Sequence, residues 1–372
     1  MRHALVPLFL LAASAPAFAQ SGEKTFRFMG EDWRVNAQEA KVETIGGRET
    51  LILRGGRAWL DKRDFKDGVI EFDASYDEVQ GFLGPAWRAE SDDRYEKLYV
   101  RSHLNEKPDA VQYTPVEHGN SAWQIFSDGN AIAAVSQKYD GWNHGKLVIK
   151  GDSADFYYNS DKPSLHIPDL KTDIKSGYVG LRVSGRARVR FSNVVFRPLG
   201  PDDKIIGAAK PSDEPPNGVI REWSVSTVFA EKDIADALTL NAQAAAGLDW
   251  QSLGVETNGI ANISKIRDRF PDGDSTIFVR MRIRSDKAQI KELRFGYSDR
   301  ARLYLNGKRV YYGDAGWRVR DYRFLGTVGF FDSAGLDLKK GENEVIVAIS
   351  ETFGGWAWAG AIEDQSGIAL DK

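Results

Sequence analysis

The chain has 372 residues, 11% of them aromatic, a net charge of −3 and no cysteine. Without cysteine it has neither disulfides nor thiol chemistry, so it must hold together by burying apolar surface, which a chain of this length can do. The near-balanced charge excludes a partner sought by bulk electrostatics, nucleic acid above all.

The N-terminal run MRHALVPLFLLAASAPAFA has a basic start at Arg2, an apolar stretch from Ala4 to Ala13 and a small-residue ending at Ala17-Phe18-Ala19. That order predicts a secretory signal peptide over residues 1–19. The apolar stretch is too short to span a membrane, and no later run is long enough. The expectation is an exported protein, periplasmic or extracellular, without membrane insertion.

Residues 23–198 read as short strands and turns. In LVIKGDSADFYYN, Leu147 and Ile149 share a parity, a turn follows at Gly151-Asp152-Ser153, and Ala154, Phe156 and Tyr158 share the next. This is a β-hairpin with period-two alternation. GYVGLRVSGRARVRFSNVVF repeats the pattern around Ser184-Gly185 and predicts a second hairpin, with Arg186, Arg188 and Arg190 on a wet face. Glu117-His118-Gly119-Asn120 predicts a third turn, joining DAVQYTP to AWQIF. If Leu98, Val100, Val111, Tyr113 and Ile125 face the core, then Tyr99, Arg101, His103, Gln112 and Gln124 line the opposite face. Arg88 is expected to join them from the preceding strand. Planar amides and guanidinium groups beside aromatic rings suit sugar hydroxyls and C–H faces. Arg88, Tyr99, Arg101, Gln112 and Gln124 are therefore the candidate ligand-binding residues. Glu117 and His118, neighbours in a turn, make a weak catalytic pair.

GRAWLDKRDFKDGVIEFDASY, GFLGPAWRAE, YEKLYVRSHL and YDGWNHGKLVIKGDSADFYYNSDKPSLHIPDL, taken in order, resemble the concanavalin A-like lectin/glucanase superfamily, in its laminin G-like and 3-keto-disaccharide hydrolase-type branches. The resemblance implies a jelly-roll sandwich whose concave face binds glycans. Its laminarinase-type members place three acids as Glu-x-Asp-x-x-Glu. Here Glu71 and Asp73 match, but Tyr76 stands in place of the second glutamate, so the acid/base role has no occupant. Zinc has no supporting histidine spacing, no cofactor or metal is expected, and calcium stays open because loop oxygens leave no firm signature.

Five of the chain's 13 prolines fall within residues 198–218, which predicts a linker over 199–218 between two domains. Residues 219–370 then return to strands. Residues 231–246 read as a short amphipathic helix or a loop. Asn306-Gly307 between alternating apolar residues is a strong hairpin turn. YSDRARLYLNGKRVYYG and LDLKKGENEVIVAISETFGGWAWAG resemble galactose-binding-like jelly rolls. Trp356 and Trp358 read either as an accessible rim that stacks on sugars or as plugs of the sandwich end.

The fold expected is all-β: two antiparallel jelly-roll sandwiches joined by the proline-rich linker. Three functions fit it: an exported protein binding an oligo- or polysaccharide on the first sandwich, a glycoside hydrolase or lyase of the 3-keto-disaccharide hydrolase type, or a structural, adhesive surface protein. The incomplete carboxylate set favours the first.

Overall fold

A computed structural model describes residues 22–371 except 63, 213, 241–244, 271–273, 317–318 and 320–326. The leader read over residues 1–19 lies outside the described residues. The first half contains β1 (Lys24–Phe28), β2 (Glu31–Ile45), β3 (Arg48–Leu60), β4 (Gly68–Ser75), β5 (Gly81–Ala89), β6 (Tyr95–Arg101) and β7 (Val111–Glu117). It continues with β8 (Asn120–Ser121), β9 (Ile132–Ala133), β10 (Asn143–Lys150), β11 (Ser153–Tyr158), β12 (Leu165–Ile167) and β13 (Tyr178–Arg197). All thirteen belong to one antiparallel sheet.

That sheet becomes a sandwich because its three longest strands run through both layers. Residues 178–185 of β13 pair with β5 and with the end of β3; residues 188–197 pair with β4 and with the start of β3. The register shifts between Val183 and Arg188, opposite Gly55 and Gly56. Gly55 has φ of 54° and Gly185 of 77°, a left-handed backbone that glycine adopts without steric penalty. The predicted hairpin at Ser184-Gly185 is therefore a bend inside one strand. Two layers result: β2-β3-β13-β5-β6-β7, and β2-β3-β13-β4-β10-β11-β12. Between them lies a core of Trp33, Leu53, Phe72, Trp87, Leu98, Tyr113, Phe156, Phe191 and their neighbours. The hairpin around Gly151 forms as expected, with Lys150 opposite Ser153.

The second half holds β14 (Glu222–Ser226), β15 (Phe229–Ala230), β16 (Trp250–Gly254), β17 (Ala261–Asn262), β18 (Ser275–Ser285) and β19 (Gln289–Ser298). After these come β20 (Arg300–Leu305), β21 (Lys308–Asp314), β22 (Asp332–Leu338), β23 (Gly341–Glu351), β24 (Ala357–Ala361) and β25 (Ile368–Asp371). An eight-stranded sheet, with β16-β14-β18-β23-β20-β21 as its path, faces a four-stranded one, β17-β24-β19-β22. Asn306 and Gly307, with φ of 49° and 80°, make the two-residue turn between Leu305 and Lys308. The described part of residues 231–246 is a single 3₁₀ turn at Glu231–Asp233 followed by loop. No helix among the described residues is long and apolar enough to cross a membrane.

Trp356 and Trp358 are fully buried, which settles the two readings of that stretch against a rim. Trp358 stacks on Phe295 at 5.5 Å and meets Trp223 edge-on at 5.6 Å. The alternating alanines do not expose the rings; Ala357 and Ala359 face the other way and pack against Ile125 and Phe126 of the first sandwich. β24 is thus covered on both faces.

The described residues of 199–218 form no strand and are tied to the first sandwich. Buried Asp155 accepts from the backbone N–H groups of Ile206 and Gly207 at 2.7 and 2.9 Å, while its other oxygen binds His166 at 2.7 Å. Asn130 pairs with Lys210 in both directions, at 2.7 and 2.9 Å.

Two outcomes are expected. Trp358→Ala leaves a large cavity between the second-half sheets and costs about 3–5 kcal/mol, read as a marked fall in melting temperature. Asp155→Ala removes both backbone anchors, so limited proteolysis within residues 204–212 should be faster than in the parent chain.

Candidate functional site

Strict alternation along β6 decides what each residue can do. Leu98 and Val100 enter the core, and so do Val111 and Tyr113 on β7. The Tyr113 hydroxyl donates to Glu96 at 2.7 Å, and Thr172 donates to the other oxygen of Glu96 from its N–H and its hydroxyl. Burial raises the Glu96 carboxyl above its ordinary range. Tyr95, Lys97, Tyr99 and Arg101 point the other way, with Lys97 opposite Thr114 and Tyr99 opposite Gln112.

Three of the five candidate residues meet on that outward face. The Tyr99 hydroxyl and Arg101 Nη2 both donate to Gln112 Oε1, at 2.8 and 2.5 Å. The Gln112 amide nitrogen in turn donates to the carbonyls of Trp123 and Phe126, at 2.7 and 2.6 Å. The segment after β8 therefore lies over the cluster and buries it, with Gln112 only 1% exposed. These residues hold a loop in place.

The other two go elsewhere. Arg88 adopts a left-handed φ of 51° at an irregularity of β5, which turns its side chain off the shared face. It donates to Lys66 O at 3.0 Å, Asp67 Oδ1 at 3.1 Å and Gly151 O at 2.6 Å, linking β5 to the β10–β11 turn. Gln124 is not on a strand, because the chain turns at Ala122–Phe126 with Ile125 N–H bonded to Ala122 O. Its amide reaches the second half, donating to Ser298 Oγ at 3.0 Å and accepting from Gly355 N–H at 2.7 Å. Val328 N–H donates to its backbone carbonyl at 2.8 Å. His118 Nδ1 donates to Ser264 O at 2.5 Å, and Glu117 is buried against Arg94 at 2.7 Å. The segment 117–126 is the seam between the two sandwiches.

Besides His103, half-buried against the Phe82 ring at 5.8 Å, what remains accessible on the outward face are residues that alternation had not singled out. Arg182 of β13 stands opposite Gly84 of β5, and Lys97 of β6 opposite Ala86. Both β5 residues are buried, and the Arg182 side chain reaches across β5 to Tyr95 of β6. The Arg182 guanidinium lies 4.7 Å from the Tyr95 ring centre, and Lys97 Nζ lies 5.1 Å from that of Tyr99 while donating to Ser121 Oγ at 3.2 Å. Phe82, half-buried, meets Tyr99 edge-on at 5.5 Å. Burial first, then the charges of Arg182 and Arg101, push the Lys97 ammonium down to about 7. Lys97 shares the parity of Tyr99 and Arg101, so the alternation that found those two also marks it.

The glucanase-like acids lie on the outer face of the other layer. Asp73 is held by Arg48 at 2.8 Å, His144 at 2.9 Å and Asn193 at 2.7 Å, and Glu71 by Arg197 at 3.1 Å. Tyr76 faces the core, its hydroxyl on Gln137 and Tyr158. Among the described residues there is no cluster of three or more metal-ligating side chains.

No protein-family model matches the chain, and no curated protein matches it. Among solved structures it is similar to the CBM66 carbohydrate-binding module from Bacillus subtilis, at 16% identity over 44% of this chain and 92% of that one, with a TM-score of 0.34. A Bacillus subtilis protein of unknown function with a galectin-like fold shares 14% identity over 46% of this chain and 96% of its own, with a TM-score of 0.35. The Bacillus licheniformis beta-glucanase shares 10% over 48% and 99%, with a TM-score of 0.34. At such identities and scores, neither ligand nor residue role transfers to this chain.

The seam contains a titrating group. Glu351 is fully buried beside Asp299, and neither of its oxygens has a hydrogen-bond partner among the described residues. Burial, then the Asp299 charge, push it up to about 8. A carboxyl with a raised folded pKa binds its proton more tightly folded than unfolded. Stability is then full below the unfolded value of about 4.3 and declines as pH rises through 8. Glu351→Gln should melt higher than the parent chain at pH 9, with the gap closing toward pH 4, in thermal scans across that range.

Proposed function

We propose that the chain is a carbohydrate-binding protein that takes its glycan on the outward face of the β13-β5-β6 layer. The observation that carries this reading is the half-buried Phe82 ring with the half-buried donors Arg182 and Lys97 on the neighbouring strands of the same face. A sugar presents C–H faces that pack on an aromatic ring and hydroxyls that accept from cationic donors. The predicted leader places the protein outside the cytoplasm, where polysaccharide is met.

Retention without turnover is the expected behaviour. Glycoside cleavage needs two carboxyl groups about the scissile bond. The acids bordering this face, Asp92 and Asp109, are engaged by Arg57 and Arg101.

The test is a panel of neutral and acidic polysaccharides run against the purified chain, read for retention by affinity electrophoresis and for new reducing ends. Retention without product is expected, with Phe82→Ala several-fold weaker and its melting within a degree or two of the parent. Product release at catalytic turnover, or no retention of any polysaccharide, overturns the reading.

A further inference from the structure

The loop after β23 displays an apolar ring on a backbone that is closely tied down. Asp299 Oδ2 accepts from the N–H groups of Thr352 and Phe353, at 3.0 and 3.2 Å, and Gln124 Oε1 accepts from that of Gly355 at 2.7 Å. Arg269 Nη1 donates to the Thr352 carbonyl at 2.8 Å. The Thr352 hydroxyl donates to Asp274 at 2.8 Å and accepts from Arg300 at 3.0 Å. Gly354 has a left-handed φ of 117°, and a Cβ there would collide with Gln124 Oε1 and lie 3.3 Å from Trp123 Nε1. Glycine therefore lets the loop press onto the first sandwich. Phe353 nevertheless stands 59% exposed.

Across the seam Phe353 meets Trp123, itself half-buried, with ring centroids 6.4 Å apart and planes inclined at 54°. Rings so inclined form a corner and do not cover each other's faces. A lone apolar side chain on a surface is ordinary. A phenyl ring held out by a fixed loop beside a tryptophan of another sandwich is not. Its exposure to water is unfavourable, and little ordering entropy is lost when a ligand covers it. The corner also continues the outward face. The Gln112 side chain that binds Tyr99 donates to the Trp123 carbonyl at 2.7 Å, and Lys97 donates to Ser121 Oγ, two residues before Trp123. From Phe82 on β5, the way to Ser121 crosses β6 and β7 to β8. At about 4.8 Å per strand that is roughly 14 Å.

We propose that Trp123 and Phe353 form a second sugar-stacking subsite, so that the ligand is an extended glycan running from Phe82 across β6–β8 to the seam. This rests on the reading of the outward face as a glycan surface and names the length of ligand it takes: an oligosaccharide long enough to touch both places. The C–H face of a sugar packs on a single aromatic ring, whereas a stable protein partner needs about 800 Å² of surface on each side. The groups around the Phe353 ring, Thr352, Asp274 and Arg269, are polar and suit hydroxyls. Trp123 comes from one sandwich and Phe353 from the other. The bonds of Gln124 to Ser298 and Gly355 therefore do more than join the halves; they fix the two rings side by side. A chain held at Phe82 meets the corner as an intramolecular contact, so affinity climbs with chain length.

The experiment compares the full parent chain with Phe353→Ala, Phe353→Tyr, Phe82→Ala and, as a distant control, Ile290→Ala at another exposed apolar side chain. Each is first checked for an unchanged melting temperature. The probes are laminarin, xylan and polygalacturonate, intact and as their disaccharides and octasaccharides, read by isothermal titration calorimetry. The octasaccharide of the retained polymer should bind the parent about tenfold or more tighter than the disaccharide, one per chain. Phe353→Ala should weaken it several-fold, Phe353→Tyr should restore it, and Ile290→Ala should leave it unchanged. In NMR, the indole N–H signal that is missing in Trp123→Phe should shift when the octasaccharide is added to the parent. Unaltered binding in Phe353→Ala, with loss in Phe82→Ala, overturns the subsite and leaves the outward face standing. Loss in Phe353→Ala, with Phe82→Ala unaffected, overturns the outward face and the extended path while the corner stands. Two octasaccharides per chain overturn the single extended ligand. Self-association that Phe353→Ala abolishes, with glycan binding intact, assigns the ring to a second copy and overturns the subsite. Retention of no polysaccharide overturns both readings together.

Discussion

Three strands cross from one layer of the first sandwich to the other, and the rest of that half depends on their bend. β2, β3 and β13 together carry the sheet around a corner at Gly55-Gly56 and Ser184–Ala187. An L-residue with a side chain resists the left-handed φ needed there, whereas glycine accepts it. Upstream of the corner, β13 lies beside β5 and places Arg182 on the outward face; downstream, it lies beside β4 and carries Val189 and Phe191 into the core. Without the bend, β5-β6-β7 and β4-β10-β11 would form one open sheet whose apolar side faces water.

The second constraint is polar. Gln112 is nearly without solvent contact, and a buried amide left unpaired costs about 1–3 kcal/mol. Its two acceptors are the carbonyls of Trp123 and Phe126, so satisfying it folds the segment after β8 across the sheet. That segment then offers Gln124, Ile125 and Phe126 to the second half, where Ala357 and Ala359 are small enough to receive them. One hydrogen-bonded side chain in the first sandwich thus sets the position of its neighbour. The same fold-over covers Tyr99, Arg101 and Gln112, the cluster that parity marked as a binding surface, and leaves Phe82, Lys97, His103 and Arg182 half-buried on that face.

Alternation made much of this legible. It separated Leu98, Val100, Val111 and Tyr113 from Tyr99, Arg101 and Gln112, and it located the turns at Gly151 and at Asn306-Gly307. Where it failed, the cause lay outside the local chain. Ser184-Gly185 resembles a hairpin turn because a glycine flanked by alternating strands looks the same whether the chain reverses or bends. Arg88 left its face through a single left-handed residue, which no periodicity reports. At Trp356 and Trp358 alternation left rim and plug both open because small residues flank the rings; in β24 those alanines mark a second buried face, turned toward the other sandwich. Gln124 was assigned to a strand that ends at Ser121, since its partners, the acceptor Ser298 Oγ and the donor Gly355 N–H, lie far along the chain.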